Sequence, residues 1–577
     1  MQKTNLSVEA KARHFIENEK EFHLGFLPTE QSHPKTVGLD EAIEKSVQQG
    51  VRLMQKVDRD IICVAEKVFA STEFKELVDS ICKSVLSGKK VVFSGCGATG
   101  RLSILLEAMW RKFWQSFKKK NSLAPNFENS VFSIMTGGDY ALIRSVESFE
   151  DYTQFGRRQA KDLGIDEGDT LVGITEGGET SSVIGTALQA IEDGAKVFIA
   201  FNNPSHLLSK HIDRSKSIIE HAESIVLDLH SGPMAVAGST RLQAVTAELL
   251  VVGSALEKAI FKIGETLNFD LPFQDCKNPA EVYKKLLNDL ESEKSVEVIS
   301  EIIDFEEDIY SKGGLVTYFA DNALLDIFTD TTERAPTFML PPFVKCDDNT
   351  SPQSWAFVKS PLCPTEEAWH KVLGRKPRCL EWTKEDYVSL GGSQKIIDNP
   401  PKLDAEELVK FKVGNEPATK RYSVDNSAAI ALLAPSDCHK NSAEFMGQFN
   451  EMKKDYSKSS IIAIGSEIPG AAWHLPCEIP ETPLMLWERL ASKLLMNTVS
   501  TLTMVKMGRV KSNWMSWVEA TNKKLIDRGT RLISELCGIP YSEACRELFV
   551  SIEEIENTDW ADKPKPSPVQ LTINRIK

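Results

Sequence analysis

The residues Ser94-Gly95-Cys96-Gly97-Ala98-Thr99-Gly100-Arg101 join a short apolar run, Lys90–Ser94, to an amphipathic stretch from Arg101 to about Phe117. Glycine allows positive φ and close approach of the backbone to a ligand. A helix beginning there adds unbonded N–H groups and the positive end of its dipole. Thr99 can add a hydroxyl donor. This is chemistry for holding a phosphate, through Gly95, Gly97, Ala98, Thr99 and Gly100. A second junction, Thr175-Glu176-Gly177-Gly178-Glu179-Thr180, offers Gly177, Gly178 and Thr180. A third, Gly238-Ser239-Thr240-Arg241, offers the Ser239 and Thr240 hydroxyls and the Arg241 guanidinium. Any one of them can be a helix cap and nothing more, since Ser and Thr cap routinely. Three converging on the carboxyl edge of one parallel sheet make a crevice for a ligand. The nucleotide loop GxxxxGK[ST] is absent, and GCGATG has dinucleotide spacing without a clear ribose-binding acid after it.

The elements that must position these loops are short apolar strands alternating with helices. Thr170–Ile174, Lys196–Ala200 and Ser224–Leu229 read as strands, and Ser181–Ile191 and Arg241–Ile263 as helices. That rhythm predicts a parallel sheet covered on both faces. It recurs: Leu315–Phe319, Ala428–Leu433 and Ile461–Gly465 read as strands, before a long helix from Pro483 to Met507. Aligning Gly264 with Gly508 pairs Lys262 with Lys506, Leu250 with Leu494 and Ala247 with Ala491, which suggests an internal duplication. The expected organisation is an N-terminal extension over 1–50, a first α/β domain over 51–278, a second over 279–512 with an insertion near 340–425, and a small helical domain over 513–577.

The chain has 577 residues and a net charge of −14, which argues against nucleic acid or an anionic membrane as its main partner. A local nest of N–H groups can still hold an anion in an acidic protein. The polar start, Met1 to Lys20, does not read as a signal peptide, and the most apolar stretch, Leu242 to Leu256, contains Glu248 and is too short to span a bilayer. Eleven cysteines without a CxxC pair suit a reducing cytoplasm. The ten histidines show no HExxH spacing, so neither a metal nor another cofactor is expected.

With these loops in place the chain resembles the sugar isomerase (SIS) domain family, and within it the branch of N-acetylmuramic acid 6-phosphate etherase and glucokinase regulatory protein. GCGATGR is similar to the branch's GAGTSGR loop. Gly137-Gly138-Asp139 and Glu147-Ser148-Phe149-Glu150-Asp151 resemble its GGE/D…EGAED pattern. Gly238–Arg241 matches its GSTR segment, and Thr29–Asp40 and Thr521–Arg528 resemble its opening and closing pieces. The resemblance implies two tandem SIS domains, each a three-layer α/β/α unit, forming an internal pseudo-dimer with a small helical domain behind them.

The resemblance also implies which residues matter. The etherase acid lies in a D-A-x-E-C-P-P-T motif. The first half has Met109 there, with Glu107 about 200° away around the helix. The second half keeps the motif as Thr329–Thr337 with Glu333, and keeps the family lysine as Lys493, but its phosphate loop, Phe319–Leu324, has no glycine. One composite site follows: phosphate loops and Glu150 from the first half, Glu333 and Lys493 from the second. Glu150 and Glu333 would be catalytic and Lys493 ligand-binding. Gly177 in place of a serine, Glu179 in place of a basic or neutral residue, and Gln243 in place of a lysine all weaken a phosphate site. The implied ligand is a phosphorylated hexose or amino sugar. The implied function is an etherase-type carbon–oxygen lyase or, alternatively, a hexose-phosphate-responsive regulator of a sugar kinase. A phosphosugar isomerase is a further alternative.

Overall fold

The structure is a computed structural model and describes residues 7–121, 124–146, 148–438, 442–560 and 565–577. Glu147, part of one family-like motif, lies outside them. The first sheet has five parallel strands: β1 (Val91–Gly95), β2 (Val131–Met135), β3 (Thr170–Ile174), β4 (Lys196–Phe201) and β5 (Ser224–Asp228), in the order β2-β1-β3-β4-β5. The second has β6 (Val316–Phe319), β7 (Ala356–Lys359), β8 (Ala428–Leu433), β9 (Lys458–Ile464) and β10 (Trp473–Leu475), in the order β7-β6-β8-β9-β10. The two orders are the same topology. The register repeats as well: Val91 lies between Val131 and Thr170 as Val316 lies between Ala356 and Ala428. The duplication read from the paired helices therefore extends to individual strand residues.

The strand residues are apolar on both faces because helices cover both. The halves meet through helices. Gly97–Lys120 packs on Leu324–Phe338, and Gln243–Leu267 on Leu486–Lys506, with Gly253 so close to Leu486 that a Cβ there would lie 2.6 Å from its Cδ1. Glycine is what allows that approach.

Three strands of the two large sheets escaped the sequence reading, β2, β7 and β10, each an edge of its sheet, as did the two-residue antiparallel strands Val510–Lys511 and Trp514–Met515. An edge strand is paired on one side only and is short, so its apolar signal is weak. Residues 340–425 are more than an insertion, since they supply β7 and the covering helix Thr365–Leu373. The following segment then crosses to the first half. Asp139 N donates to Arg378 O at 3.0 Å, Arg378 N donates to Asp139 Oδ2, and Arg375 Nη2 donates to Asp139 Oδ1 at 3.1 Å.

At the carboxyl edge of the first sheet lie the chain's two ends. The helix Val8–Asn18 packs on Tyr541–Glu556. Buried Glu30 takes Arg528 Nε at 2.9 Å, Arg528 Nη2 at 2.7 Å and Arg531 Nη2 at 3.1 Å. Burial alone would raise the Glu30 carboxyl, but Arg528, Lys524 and Arg531 outweigh it and hold it down to about 2. The helix carrying these cations, Lys523–Cys537, is thereby fixed over the first sheet.

Candidate functional site

The first phosphate loop sits as its residues require. The helix begins at Gly97, earlier than the sequence suggests, and Gly97 has φ +55°. A Cβ on Gly95 would lie 2.4 Å from the Thr99 backbone, so only glycine lets helix and strand meet this closely. Gly95 and Gly100 thus lie beneath the loop, while Gly97 and Ala98 line the cleft. The helix leaves its first N–H groups without acceptors inside the helix. Thr99 does not add a free hydroxyl: Thr99 Oγ1 accepts from Cys96 N at 3.1 Å and donates to Cys96 O at 2.9 Å, closing a cap.

The loop after β3 contributes Gly177 and Thr180 to the same cleft, while Gly178 packs inward toward Leu208 and Phe201. Ser239 and Thr240 line it from the third junction, and the buried Ser239 Oγ has no hydrogen-bond partner among the described residues. The cleft holds about 330 Å³. Glu150 enters on a short 3-10 turn, Phe149–Asp151, and Glu333 enters from the second half on the Leu324–Phe338 helix. The two halves meet around one space, as the partition of motifs implies.

One residue takes a different place from that expected of it, and another lines the cleft with its charge turned away. Lys493 does not line the cleft. It is buried behind the third loop, where its Nζ donates to Arg241 O at 2.7 Å and Leu242 O at 3.5 Å. Burial, reinforced by Arg241, pulls its ammonium down to about 7. Arg241 lines the cleft, but its guanidinium bonds Asp330 at 2.9 Å, Thr501 at 2.9 Å and Ser500 at 3.2 Å. These groups brace the loop across the domain boundary.

Two residues enter the site that the sequence reading did not assign. Lys524, on the C-terminal helix, reaches the cleft and bonds Glu179 Oε1 at 2.5 Å. Arg214 Nη2 is 3.4 Å from the other Glu179 oxygen. Burial would raise Glu179, but these cations outweigh it and keep the carboxyl low. The acid that threatened to repel an anion is thus neutralised. Glu176 is the second newcomer: it lines the cleft half-buried, and burial together with Glu333 and Glu150 pushes it up to about 7. Glu150 is likewise raised, first by burial, and its Oε1 accepts from Asn522 Nδ2 at 3.4 Å. Glu333 is in an ion pair with Arg101.

Residues 73–191 match the family model described as the glucokinase regulatory protein N-terminal SIS domain. N-acetylmuramic acid 6-phosphate etherase 1 of Bacillus licheniformis is 28% identical over 243 residues, 42% of this chain and 71% of that protein. The Petrotoga mobilis etherase is 26% identical over 285 residues, 49% of this chain and 82% of that protein. These likenesses support a SIS-domain protein of the etherase and glucokinase-regulator branch. Among solved structures, tagatose-6-phosphate ketose/aldose isomerase from Escherichia coli superposes with a TM-score of 0.44 at 9% identity, over 82% of this chain and 95% of that one. The chain carries two sheets of one topology and, at the first, a cleft lined by both halves. Among the described residues no helix is long and apolar enough to cross a membrane.

Proposed function

We propose that the first cleft binds a phosphorylated sugar. The phosphate lies against the Gly97–Ala98, Gly177–Thr180 and Ser239–Thr240 loops, and the sugar faces Glu150, Glu176 and Glu333. The observation that carries this is the buried Ser239 hydroxyl, without a hydrogen-bond partner among the described residues, in a cleft that also holds the start of a long helix and the Lys524 ammonium. Donors left unmatched in a concave space call for an acceptor ligand. The etherase names of the relatives support a phosphosugar.

The chemistry we propose for it is lyase chemistry of the etherase kind. A base takes the proton at C2, the lactyl ether oxygen leaves from C3 with a proton from an acid, and water then adds to the unsaturated sugar. Glu150 is the base, and Glu333 stands nearest the role of acid. Two carboxyls can divide these tasks only if their environments differ. Here Glu150 is desolvated while Glu333 is paired with Arg101.

That pairing favours a second reading. A carboxyl held by a guanidinium is not free to meet a departing ether oxygen, and the family model matched is that of a regulator. In this reading the phosphosugar shifts the chain between forms with different affinity for a sugar kinase, which requires that it bind those forms unequally.

The test is incubation with N-acetylmuramic acid 6-phosphate and assay of released lactate, with Glu333→Gln alongside, and calorimetry with fructose 6-phosphate. Lactate from the wild type and none from the variant supports the lyase. Phosphosugar binding without lactate supports the regulator. Binding of neither sugar phosphate overturns both.

A further inference from the structure

The second half has a cleft of its own at the carboxyl edge of its sheet, about 730 Å³ in volume, with a wall supplied by the first half's Gly97–Lys120 helix. We propose that this second cleft binds a neutral, unphosphorylated sugar.

The argument begins at its loops. The junctions after β6 and β8 hold the places that the phosphate loops hold in the first sheet, because the strand register repeats. Here their amides are already taken. Asp437 Oδ1 accepts from Asn322 N at 3.1 Å, and Asp437 Oδ2 from Ala434 N at 2.9 Å. Glu488 Oε2 accepts from Ser436 N at 3.2 Å. The chain's own carboxylates occupy the position of a bound anion, and a phosphate brought there would also meet Asp321. Loss of glycine from the loop explains why phosphate is held poorly. The Asp437 carboxylate, already holding the Asn322 and Ala434 amides, adds repulsion to that loss.

What remains open to a ligand is a mixed set. Asp321, Asp437 and Glu488 keep lone pairs that accept from hydroxyls. Opposite them Lys112, carried on the first half's helix, has no hydrogen-bond or ion-pair partner among the described residues and donates to hydroxyl or ring oxygens. Phe113 and Phe273, with ring centroids 6.3 Å apart, offer apolar faces to the C–H side of a sugar ring. Acceptors, a donor and aromatic faces in one concave space are the parts of a sugar site. Lys120, Lys371 and Arg375 line the cleft beside Lys112, so cations and carboxylates are mixed throughout and neither a strongly anionic nor a strongly cationic ligand is favoured. Burial, the larger effect, and Arg489 pull Lys112 down to about 8, consistent with an amine inside the cleft.

The proposal does not depend on the reading of the first cleft, and the test separates them. The full chain is titrated with glucose and with N-acetylglucosamine by calorimetry and saturation-transfer NMR, with and without saturating fructose 6-phosphate. We expect one of the two sugars to bind whether or not the phosphosugar is present. Affinity should fall about tenfold in Phe273→Ala and in Asp321→Asn, the loss of one contact each, and stay unchanged in Lys524→Ala. Circular dichroism of each variant confirms folding. Absence of binding by both sugars, binding unaffected by both variants, or displacement by fructose 6-phosphate overturns the proposal. If fructose 6-phosphate binds nowhere while a neutral sugar binds and is lost on Phe273→Ala, the first-cleft reading fails and this one stands.

Discussion

Arg101 and Glu333 belong to opposite halves of the chain and meet in one ion pair at the floor of the first cleft. Arg101 is fully buried and also donates to Leu142 O at 2.8 Å and Ala141 O at 3.3 Å, whereas Glu333 keeps some exposure. The pair therefore orients a cleft carboxylate and ties the domains together. Removing the two ends has different consequences. Arg101→Ala leaves two carbonyls and a carboxylate without their donor and should cost about 3–5 kcal/mol in urea unfolding. Glu333→Gln keeps an acceptor for Arg101 and should cost only about 1 kcal/mol. Its effect should appear in ligand binding or turnover. Equal destabilisation by the two variants would mean that Glu333 is structural.

Lys524 carries the C-terminal helix's contribution to the cleft. Its ammonium holds Glu179 and is positioned by a helix that Glu30 clamps through Arg528 and Arg531. Lys524→Ala removes the cation and exposes the anion it neutralised. A charge-assisted hydrogen bond contributes about 1.5–3 kcal/mol, so phosphosugar affinity should drop at least about tenfold, measured by calorimetry. The double variant Lys524→Ala, Glu179→Gln should recover part of the loss. No recovery would mean that Lys524 acts on the ligand alone.

What the sequence made legible follows from distance along the chain. The loop 94–101, the strands in both sheets' interiors and the division of Glu150 and Glu333 between halves are local or motif-borne, and all could be read. The part played by Lys524 could not, because it depends on Glu179, 345 residues away. Glu176 was quoted in its loop but passed over, since its significance comes from burial beside Glu150 and Glu333, which no local pattern encodes. Lys493 shows the opposite error. Its motif match gave it a ligand, and the fold gives it the Arg241 carbonyl. Of the four edge strands β5 was read, whereas β7 and β10, four and three residues long, leave little apolar pattern to read.

Glu107 tests whether that reading of helix geometry was sound. It points away from the cleft, as an offset of two residues requires, and is buried against Arg111 at 2.8 Å, Arg375 at 3.0 Å and Arg378, with Ser133 Oγ at 2.7 Å. Burial would raise its carboxyl, but the arginines hold it low. Arg375 and Arg378 come from the segment that crosses between halves, so the cluster fastens that segment. Glu107→Ala should destabilise the protein by about 3–5 kcal/mol by leaving buried cations unmatched. The protein that remains folded should bind phosphosugar with wild-type affinity. A selective loss of binding would return Glu107 to the site.

Acid–base behaviour supplies the last prediction. Burial pushes Glu257 up to about 7 against bonds from Thr482 and from the Leu484 and Leu486 amides, and pushes Glu176 up to about 7 in the cleft. An ordinary glutamate titrates near 4.5. Between that value and about 7 the folded protein holds protons that the unfolded chain has released, so stability falls as pH rises through this window. The two groups separate the consequences. Glu257 lies between the halves, with Oε1 accepting from Leu484 N at 3.1 Å, outside either cleft. Glu257→Gln should remove part of the decline, gaining on the order of 3 kcal/mol over wild type at pH 8 relative to pH 5 in urea unfolding. Ligand affinity should not change. Glu176→Gln should act on binding instead. In the wild type, ionisation of Glu176 adds a negative charge beside the phosphate loops, so phosphosugar affinity should weaken as pH rises through about 7, and the variant should lose that dependence. A wild-type affinity that is flat from pH 6 to pH 8, apart from the phosphate's own titration seen in the variant, would place Glu176 away from the bound anion.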